Sequence, residues 1–550
     1  MLNWDYYKKV GVICINALML ISLDLVAQDW MMPFQSQLVL SGNFGELRGN
    51  HFHTGIDIRT GGVEGWPVVC VKEGRLARVS VSPTGYGLAL YLEHADGTTT
   101  VYAHLQRFNA ALDEWVRKLQ YQKENFRIDE CLTSSEFYFK QGDTIAFSGN
   151  SGSSGGPHLH FEIRNTVTEH VLNPLAFYTV KDHKAPIPRK LYLYSISKNG
   201  CVGRLGEYGV KSVQKDVYQS GIISVPAGRI GVGVHLVDYM NDSWNKLGVY
   251  RMDMVVEQDT LFALQMDSCS FDQSLLVHDL KDFFYYKKQE IVYRCFGNHQ
   301  NQILGIKNHE SGFISINEGQ VIRIKLYFAD INGNRSQLQF RLQGTGKIIM
   351  NPQEILAYEQ AHRLELQMWK VFLDEGALCS SIEKQIFLEK NTETGEELLV
   401  LATEETPLLK KATLQVEGTF SQQAIICEVD RNGRKWPVNT QWYSDRLEAR
   451  IGYLNRYTVV EDTIAPMITY LGKLPHGILR FRIKDELSGI DFYRGEVNGE
   501  WCLFRYDAKN HLLQCDLSEP AFKKQQQNIV NIQVKDRVGN IKELSIKVSI

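Results

Sequence analysis

Short apolar stretches separated by glycine-rich turns recur along most of the chain, and this pattern predicts an all-β protein. In the N-terminal third, segments 87–94 and 98–105 each have the composition of a strand. Between them stands the pair Asp96-Gly97, which is typical of a hairpin turn. We therefore expect an antiparallel hairpin here.

One stretch interrupts this pattern. Leu112, Trp115, Val116 and Leu119 recur at spacings i, i+3, i+4 and i+7, which is the spacing of one helix face. The sequence thus predicts a small helical insertion at about residues 108–139. Whether it covers a site as a lid or only packs against the sheet is left open.

The remainder of the chain, residues 185–550, reads as strands and turns with faint internal similarity. "KDHKAP" at 181–186 is echoed by "EDTIAP" at 461–466, and each opens a new run of strands. Strands at this spacing favour Ig-like β-sandwiches. The predicted division of the chain is 1–27, 28–184, an Ig-like β-sandwich at 185–346, a β-rich domain at 347–463 and a second Ig-like β-sandwich at 464–550.

Two aspartates next to Gly-Asn pairs, Asp330 and Asp536, raise the question of calcium binding. Isolated carboxylates do not form an oxygen cage, and aspartate commonly caps turns, so the turn interpretation is favoured.

Composition and charge narrow the function. The chain has 550 residues, 44% of them hydrophobic, and a formal net charge of −3. A chain of this length requires several domains, and the absence of a basic excess argues against nucleic acid as a partner.

The first residues have the pattern of an export signal. Lys8 and Lys9 precede an apolar run, and small or apolar residues surround a cleavage position after Ala27. The run is too short and too polar for a membrane anchor, and no later segment is long enough to span a bilayer. We expect a mature chain without a transmembrane span, located in the periplasm or cell envelope.

Nine cysteines follow residue 27, and their density is far below that of a disulfide-stabilised scaffold. Cys502 and Cys515 flank a predicted turn symmetrically. A bridge between them and a pair of adjacent buried thiols are both compatible with the sequence.

Histidines cluster in the N-terminal region. His158 and His160, two residues apart in a predicted strand, share one face. His53 and Asp57 would be about 13 Å apart in an extended chain, but Gly55 allows a bend that brings them together. By itself each signal is weak: His104, His51 and His94 have structural interpretations as well. Together, imidazole and carboxylate groups suit zinc, which in catalytic sites commonly has three protein ligands.

Taken in order, these motifs resemble the lysostaphin/LytM-type zinc metallopeptidases. The resemblance covers residues 43–176 and is carried by the following elements: Phe44-Gly45 with Arg48, His53-Thr54-Gly55-Ile56-Asp57-Ile58, Tyr102-Ala103-His104-Leu105, Gly142-Asp143, Pro157 through Ile163, and Asn173-Pro174-Leu175.

The resemblance implies an antiparallel β metallopeptidase domain of the duplicated hybrid motif, followed by Ig-like β-sandwiches. It implies zinc ligands at His53, Asp57 and His160, and catalytic histidines at His104 and His158. It also implies peptide cross-links of bacterial peptidoglycan as the substrate. The insertion between His104 and Gly142 departs from simpler members of the family.

Mechanistically, an imidazole can act as general base at neutral pH, and the strand face shared with His160 favours His158 for that role. His104 would then orient water or stabilise the oxyanion. The alternative is a catalytically silent envelope factor that binds or activates a cell-wall hydrolase. The C-terminal β-domains are available for envelope protein partners under either hypothesis.

Overall fold

The computed structural model describes residues 30–34, 38–134, 136–347, 349, 351–390 and 395–549. The predicted export signal lies outside these residues. We refer to residues up to 184 as the N-terminal region, 185–346 as the second region, 347–463 as the third region and 464–549 as the C-terminal region.

The N-terminal region is built from short antiparallel strands. Its strands are β1 (Leu40–Gly42), β2 (Ile56–Arg59), β3 (Pro67–Val69), β4 (Gly74–Val81), β5 (Leu88–Glu93), β6 (Thr98–Leu105), β7 (Arg107–Phe108), β8 (Ile128–Cys131), β9 (Tyr138–Phe139), β10 (Thr144–Phe147), β11 (His158–Asn165) and β12 (Val171–Leu172).

The main sheet of this region runs in the order β1-β2-β11-β6-β5-β4-β8, and a small sheet has the order β3-β10-β7. The expected hairpin is present: β5 and β6 are antiparallel, with Glu93 opposite Thr99, and Gly97 in the turn has a φ of 81°. The all-β class is confirmed.

The predicted helical insertion is also confirmed. Helix α1 (Ala110–Lys123) begins after Asn109, whose side chain accepts a hydrogen bond from the Leu112 amide, and it ends at Glu124 in the left-handed conformation. Leu112 and Val116 are buried, so one face of α1 packs against the sheet, as the apolar spacing predicts.

The second region contains two sheets. Its strands are β13 (Ile187–Ile196), β14 (Val202–Gly209), β15 (Lys211–Gln214), β16 (Val217–Pro226), β17 (Gly228–Val237), β18 (Arg251–Val256), β19 (Asp259–Gln265), β20 (Ser268–Cys269), β21 (Val292–Arg294), β22 (Ile306–Asn308), β23 (Ile314–Ile316), β24 (Val321–Ala329) and β25 (Arg335–Thr345), with the short helices α2 (Val277–Leu280) and α3 (Phe283–Tyr286).

The first two regions are joined through the sheet and through the core. Strand β20 pairs with β12 and so extends the main N-terminal sheet. A single cluster of buried apolar side chains includes Phe44 and Phe161 of the N-terminal region together with Met252 and Phe262 of the second region. The two regions on either side of residue 184 therefore share one continuous core. The domain division at this residue stays a prediction.

The last two regions are each built around paired sheets. The third region has β26 (Ile355–Leu356), β27 (His362–Leu366), β28 (Trp369–Leu373), β29 (Ile382–Glu383), β30 (Phe387–Lys390), β31 (Glu397–Val400), β32 (Thr406–Glu417), β33 (Ala424–Val429), β34 (Lys435–Pro437), β35 (Thr440–Trp442), β36 (Arg446–Leu454) and β37 (Arg456–Glu461). The C-terminal region has β38 (Met467–Lys473), β39 (Ile478–Lys484), β40 (Ile490–Val497), β41 (Glu500–Trp501), β42 (Arg505–Asp507), β43 (Leu512–Asp516), β44 (Gln527–Asp536) and β45 (Ile541–Ser549).

The C-terminal region is a two-sheet sandwich. Its sheets have the orders β38-β39-β43-β42 and β41-β40-β44-β45, and residues of both, such as Phe481 and Ile532, share one core. Cys502 and Cys515 lie in that core as two free thiols, with their Sγ atoms 3.5 Å apart. The adjacent-thiol alternative therefore describes this structure.

Candidate metal centre

Three neighbouring strands carry the clustered histidines. Strand β11 lies between β2 and β6 and is antiparallel to both, with His160 opposite Asp57 on one side and Ala103 on the other. Leu159 and Phe161 point to the opposite face and are buried in the core. Strand alternation therefore places Asp57 and His160 on one face of the sheet.

His53 reaches the same point from the loop that precedes β2, as the predicted bend at Gly55 requires. Position 55 requires glycine for a second reason, because strand β11 approaches its backbone closely. A Cβ at position 55 would lie 2.5 Å from the carbonyl oxygen of Phe161 and 2.9 Å from the His160 ring. No side chain larger than hydrogen fits between the two strands here.

The imidazoles of His53 and His160 each have one nitrogen hydrogen-bonded on the side away from the centre, and this contact determines which nitrogen has a lone pair available to a metal ion. Nδ1 of His53 lies 2.7 Å from the carbonyl oxygen of Asn43, and Nε2 of His160 lies 2.9 Å from a carboxylate oxygen of Glu162. Both partners are acceptors, so these nitrogens carry the protons in the neutral rings. The lone pairs then reside on Nε2 of His53 and Nδ1 of His160.

These two lone pairs converge with a carboxylate oxygen. Nε2 of His53 is 3.1 Å from Nδ1 of His160, and Oδ1 of Asp57 is 3.0 Å and 2.9 Å from them, respectively. Three acceptor atoms at such distances repel one another unless a positive charge lies between them. This set of atoms fits a metal ion, and two imidazoles with a carboxylate are a donor set that zinc takes.

The neighbouring histidines keep Asp57 ionised, and Arg48 orients its carboxylate. Burial alone would raise the pKa of this carboxyl group. The electrostatic interaction with His53 and the contacts with His158 and His160 outweigh burial and hold the pKa of Asp57 well below its usual value. The Arg48 guanidinium is 3.0 Å from the second oxygen, Oδ2, and so fixes the carboxylate with Oδ1 directed at the centre.

The requirement for positive charge is visible at His160. Burial opposes a charge on this ring, but hydrogen bonds to Asp57 and Glu162 raise its pKa to about 9. In the absence of a metal ion, a proton on His160 therefore supplies the positive charge that offsets the repulsion between the converging acceptor atoms.

The other two predicted histidines lie beside this group and have a matching arrangement. Nδ1 of His104 lies 2.9 Å from the carbonyl oxygen of Ser151, and Nδ1 of His158 lies 2.8 Å from that of Gly156. Each neutral ring therefore holds its proton on Nδ1 and keeps a lone pair on Nε2. Nε2 of His158 is 3.4 Å from Oδ1 of Asp57, so it faces the centre.

His104 is held in an unusual environment. Its φ is 59°, a left-handed conformation that is uncommon outside glycine and that concentrates at functional sites. Its ring centroid is 4.9 Å from that of His158. Burial, together with the neighbouring His160 and His158, lowers the pKa of His104 to about 3, so this ring is neutral at physiological pH.

The structure thus brings together all five side chains singled out from the sequence, namely His53, Asp57, His104, His158 and His160. The two other histidines considered from the sequence, His51 and His94, form hydrogen bonds elsewhere. His51 is exposed and contacts Asn50, whereas His94 lies between the carbonyl of Glu73 and the hydroxyl of Thr100.

Sequence reasoning missed the buried carboxylate behind His160. Glu162 is fully buried and accepts hydrogen bonds from Thr54 and Tyr86, both at 2.6 Å, and from Arg164 at 2.7 Å. The signal was available, since a residue two positions after His160 in a strand shares its face.

Two contacts from the second region also support the centre. The side chain of Asn43 exchanges hydrogen bonds with the backbone of Gly248, at 2.7 and 2.8 Å. The buried side-chain nitrogen Nζ of Lys281 donates to the carbonyl oxygens of Arg48 and Gly49. The loops that precede the metal ligands are therefore held by residues more than 200 positions away.

The glycine-rich loop 149–156 carries the backbone acceptors of both flanking histidines. In the C-terminal region, Lys509 donates to the side-chain and backbone oxygens of Asn150 and to the carbonyl of Ser154, the latter at 2.9 Å. The C-terminal sandwich therefore contacts the loop whose carbonyl oxygens bind His104 and His158.

Helix α1 provides the second contact with the C-terminal sandwich. Glu519, whose side chain is buried, accepts from Arg117 at 2.8 Å and from the hydroxyl of Tyr121. The ring of Tyr121 packs edge-on against Trp501 at 5.0 Å. The insertion thus serves as a docking platform for the C-terminal region.

The two aspartates considered for calcium cap their own turns. Asp330 accepts from the amide of Asn334 and Asp536 from the amide of Asn540, both at 2.8 Å. Asp536 also lies near Asp462 and Asp485, which sequence reasoning did not single out. Both of these also accept backbone amides, as turn capping predicts.

Among the described residues, no helix is both long and apolar enough to cross a bilayer.

Part of the N-terminal region is similar to known proteins. Residues 51–121 match Peptidase family M23. The DD-carboxypeptidase/endopeptidase Mpg of Neisseria meningitidis serogroup B is 32% identical over 124 residues, which is 22% of each chain. The cell division protein DipM of Caulobacter vibrioides is 26% identical over 161 residues, 29% of this chain and 20% of that protein. The matches thus span about a fifth of the length of these curated relatives.

Solved structures give the same kind of match. The catalytic domain of lysostaphin from Staphylococcus simulans is 24% identical, with 24% of this chain and 87% of that chain covered and a TM-score of 0.19. The catalytic domain of a mutant of the prophage-encoded M23 protein EnpA from Enterococcus faecalis is 26% identical, with 26% and 92% covered and a TM-score of 0.19. The match of residues 51–121 to Peptidase family M23 confirms, for this part of the chain, the resemblance given by the motifs.

Proposed function

We propose that this M23-type chain is an exported zinc metalloendopeptidase of the periplasm or cell envelope that hydrolyses peptide cross-links of bacterial peptidoglycan. The observation that carries the proposal is the convergence of three metal-binding lone pairs next to two further imidazoles, each with an unprotonated Nε2. A site that only binds a metal ion does not require the two additional imidazoles, His104 and His158.

His53, Asp57 and His160 would hold the zinc ion, which supplies a water of lowered pKa and polarises the scissile carbonyl. His158 acts as general base: its Nδ1 proton is donated to the Gly156 carbonyl, and Nε2 takes the proton of the attacking water. The backbone contact fixes the ring in the orientation that this transfer needs.

His104 orients the water as a hydrogen-bond acceptor. Because its Nδ1 proton is donated to Ser151 and its pKa is about 3, Nε2 carries no proton at neutral pH. It therefore cannot donate to an oxyanion while this contact persists. Of the two roles considered for His104 from the sequence, the geometry supports water orientation.

The substrate assignment rests on similarity. The names of the relatives include a DD-carboxypeptidase/endopeptidase and a cell division protein. The loop 149–156 adds a wall that is low in side-chain bulk, because four of its eight residues are glycine. Such a wall suits an extended peptide, since backbone can approach closely where side chains are absent.

The proposal is tested with the purified full chain and isolated cell-wall sacculi. We expect the zinc-loaded protein to cleave the peptide cross-links, and we expect a chelator or His160→Ala to abolish this activity. His158→Ala should retain zinc and lose about 10²–10⁴-fold in rate, the usual contribution of a general base. His51→Ala is the matched control, because this histidine is exposed and contacts Asn50 rather than the metal ligands.

Bound zinc together with intact cross-links would contradict the proposal and support the silent envelope factor instead. Absence of stoichiometric zinc in the wild type would contradict both the ligand assignment and the mechanism.

A further inference from the structure

Strand β2 presents one more side chain to the metal side of the sheet beyond Asp57. Along β2 and β11 the register pairs His160 with Asp57 and His158 with Arg59. Because alternate residues share a face, Arg59 lies on the same face as the metal ligand and directly opposite the proposed base. Cross-strand neighbours of this kind have Cβ atoms about 5 Å apart.

The charge of Arg59 is available to a ligand. Two other arginines near the centre are committed, Arg48 to Asp57 and Arg164 to Glu162. Within the part of the chain that the structure describes, Arg59 forms no ion pair. Its contact is with the ring of Trp244, whose centroid lies 4.5 Å from the guanidinium carbon.

Trp244 comes from the second region and is 75% exposed. An indole stacked on one face of a guanidinium orients the plane and leaves the N–H groups at its edge free to donate. An exposed tryptophan that orients an unpaired arginine beside a metal centre is an arrangement suited to ligand binding.

The loop that carries Trp244 is anchored. Ser243 donates to the carbonyl oxygen of Leu40 at 3.2 Å, and the amide of Asn241 donates to Asp182 at 3.0 Å. Leu40 is opposite Ile58 in the sheet, next to Arg59. The stacking partner is therefore held in position before any ligand arrives, which lowers the entropic cost of binding.

We propose that Arg59 and Trp244 form a carboxylate-binding subsite, so that the preferred substrate is a peptide with a free carboxylate within one or two residues of the scissile bond. A guanidinium edge binds a carboxylate through two parallel N–H···O bonds. An extended peptide advances about 3.3 Å per residue, so a carboxylate next to the scissile bond reaches the neighbour of the metal ligands. This inference deepens the proposed function and rests on it for the reaction.

The subsite is tested by binding rather than by turnover. The zinc-loaded full chain carrying His158→Ala, which removes the proposed base, is titrated calorimetrically with an N-acetylated alanyl dipeptide that has a free C-terminal carboxylate. The same peptide with a C-terminal amide is the comparison. We expect the carboxylate form to bind at least about tenfold tighter.

Substitutions at the two residues show whether the preference arises at this subsite. Arg59→Ala should abolish the preference, Arg59→Lys should retain part of it, and Trp244→Ala should weaken it several-fold. Arg107→Ala is the matched control, because Arg107 also stacks on an aromatic ring, that of Phe147, but on β7 in the small sheet.

Three outcomes overturn the subsite: the His158→Ala chain with Arg59 and Trp244 intact binds both peptides equally, it binds neither, or its preference survives Arg59→Ala and disappears on chelation. The last result would place the carboxylate on the metal. Cleavage of sacculi, with carboxyl groups free or converted to amides, is measured separately in chains that retain His158.

A preference in binding that depends on Arg59, without any cleavage, supports the subsite and contradicts the proposed reaction. Equal cleavage of free and amidated sacculi by the chain that retains Arg59, with no change on Arg59→Ala, contradicts the subsite and supports the reaction.

Discussion

A carboxylate oxygen of Glu162 lies 2.9 Å from Nε2 of His160, on the side of the ring away from Asp57. The carboxylate is fully buried, and Arg164 balances its charge at 2.6 Å. This contact decides which nitrogen of His160 is available to the metal. The orientation of the ligand is therefore a property of β11 itself, since both residues belong to that strand.

Replacing Glu162 by glutamine should weaken zinc binding about 10–100-fold, the usual effect of removing a partner that orients a metal-bound histidine. The amide has nearly the same shape, but it neither carries the charge nor fixes the ring proton. Affinity is measured by competition with a chromophoric chelator. Glu169→Gln is the control, because Glu169 also pairs with Arg164 but is exposed. Equal affinities for the two variants would contradict the role of Glu162.

Gly55→Ala should reduce both metal binding and stability. The added methyl group would lie 2.5 Å from a backbone oxygen of β11, which cannot move without displacing His160. Overpacking of this kind typically costs about 1–3 kcal/mol. Gly452→Ala, a strand position with open space around it, is the control in thermal unfolding and zinc titration. Normal zinc affinity in Gly55→Ala would show that the close approach is unimportant.

The stability of the chain should depend on pH through Lys281. Burial lowers the pKa of this lysine from 10.5 to about 7. Between these values the unfolded chain binds a proton that folded Lys281 does not, so this group makes stability rise with pH. Below about pH 7 both states are protonated and the destabilisation is complete. The slope is at most about 1.4 kcal/mol per pH unit.

Lys281→Met should remove this contribution, which is measured by chemical denaturation at several pH values from 6.5 to 10. Lys281 lies over the ring of Tyr286. Lys288→Met is the control, since Lys288 likewise lies over an aromatic ring, that of Phe284, but is exposed. If Lys281→Met has the same pH slope as the wild type, the buried lysine is not the cause.

Lys509→Ala should loosen the loop 149–156. One ammonium group holds oxygens of Asn150 and Ser154, and its removal leaves the loop without this contact from the C-terminal region. Hydrogen exchange of the loop amides should become faster, while the core amides of β11 stay protected. Lys524→Ala, at an exposed position of the same region, should leave the loop unchanged. Unchanged exchange in Lys509→Ala would show that this contact does not order the loop.

Much of the fold and of the metal centre could be predicted from the sequence because the signals are local. The spacing of Leu112 and Val116 predicts the helix, and Asp96-Gly97 predicts the hairpin turn. The alternation in β11 places His158 and His160 on one face. Each of these properties depends on a few consecutive residues and on backbone geometry alone.

The supporting contacts could not be predicted, because they depend on how distant regions pack. Asn43 bonds to Gly248, Arg59 stacks on Trp244, and Lys509 reaches Asn150. No periodicity in the chain marks such pairs. Glu162 is the exception, since its position two residues after His160 was sufficient to place it.

The hydrogen bond from Lys281 to Gly49 joins residues that are 232 positions apart. Contacts between residues so far apart in sequence form only after a long loop has closed. Closing this loop loses more chain entropy than pairing strands that are neighbours in sequence. A chain that folds from its N-terminus therefore contains His53 and Asp57 well before it contains the lysine that holds the preceding loop. Completion of the metal centre is thus coupled to folding of the second region, and a chain arrested before residue 281 should carry the ligands without a finished site.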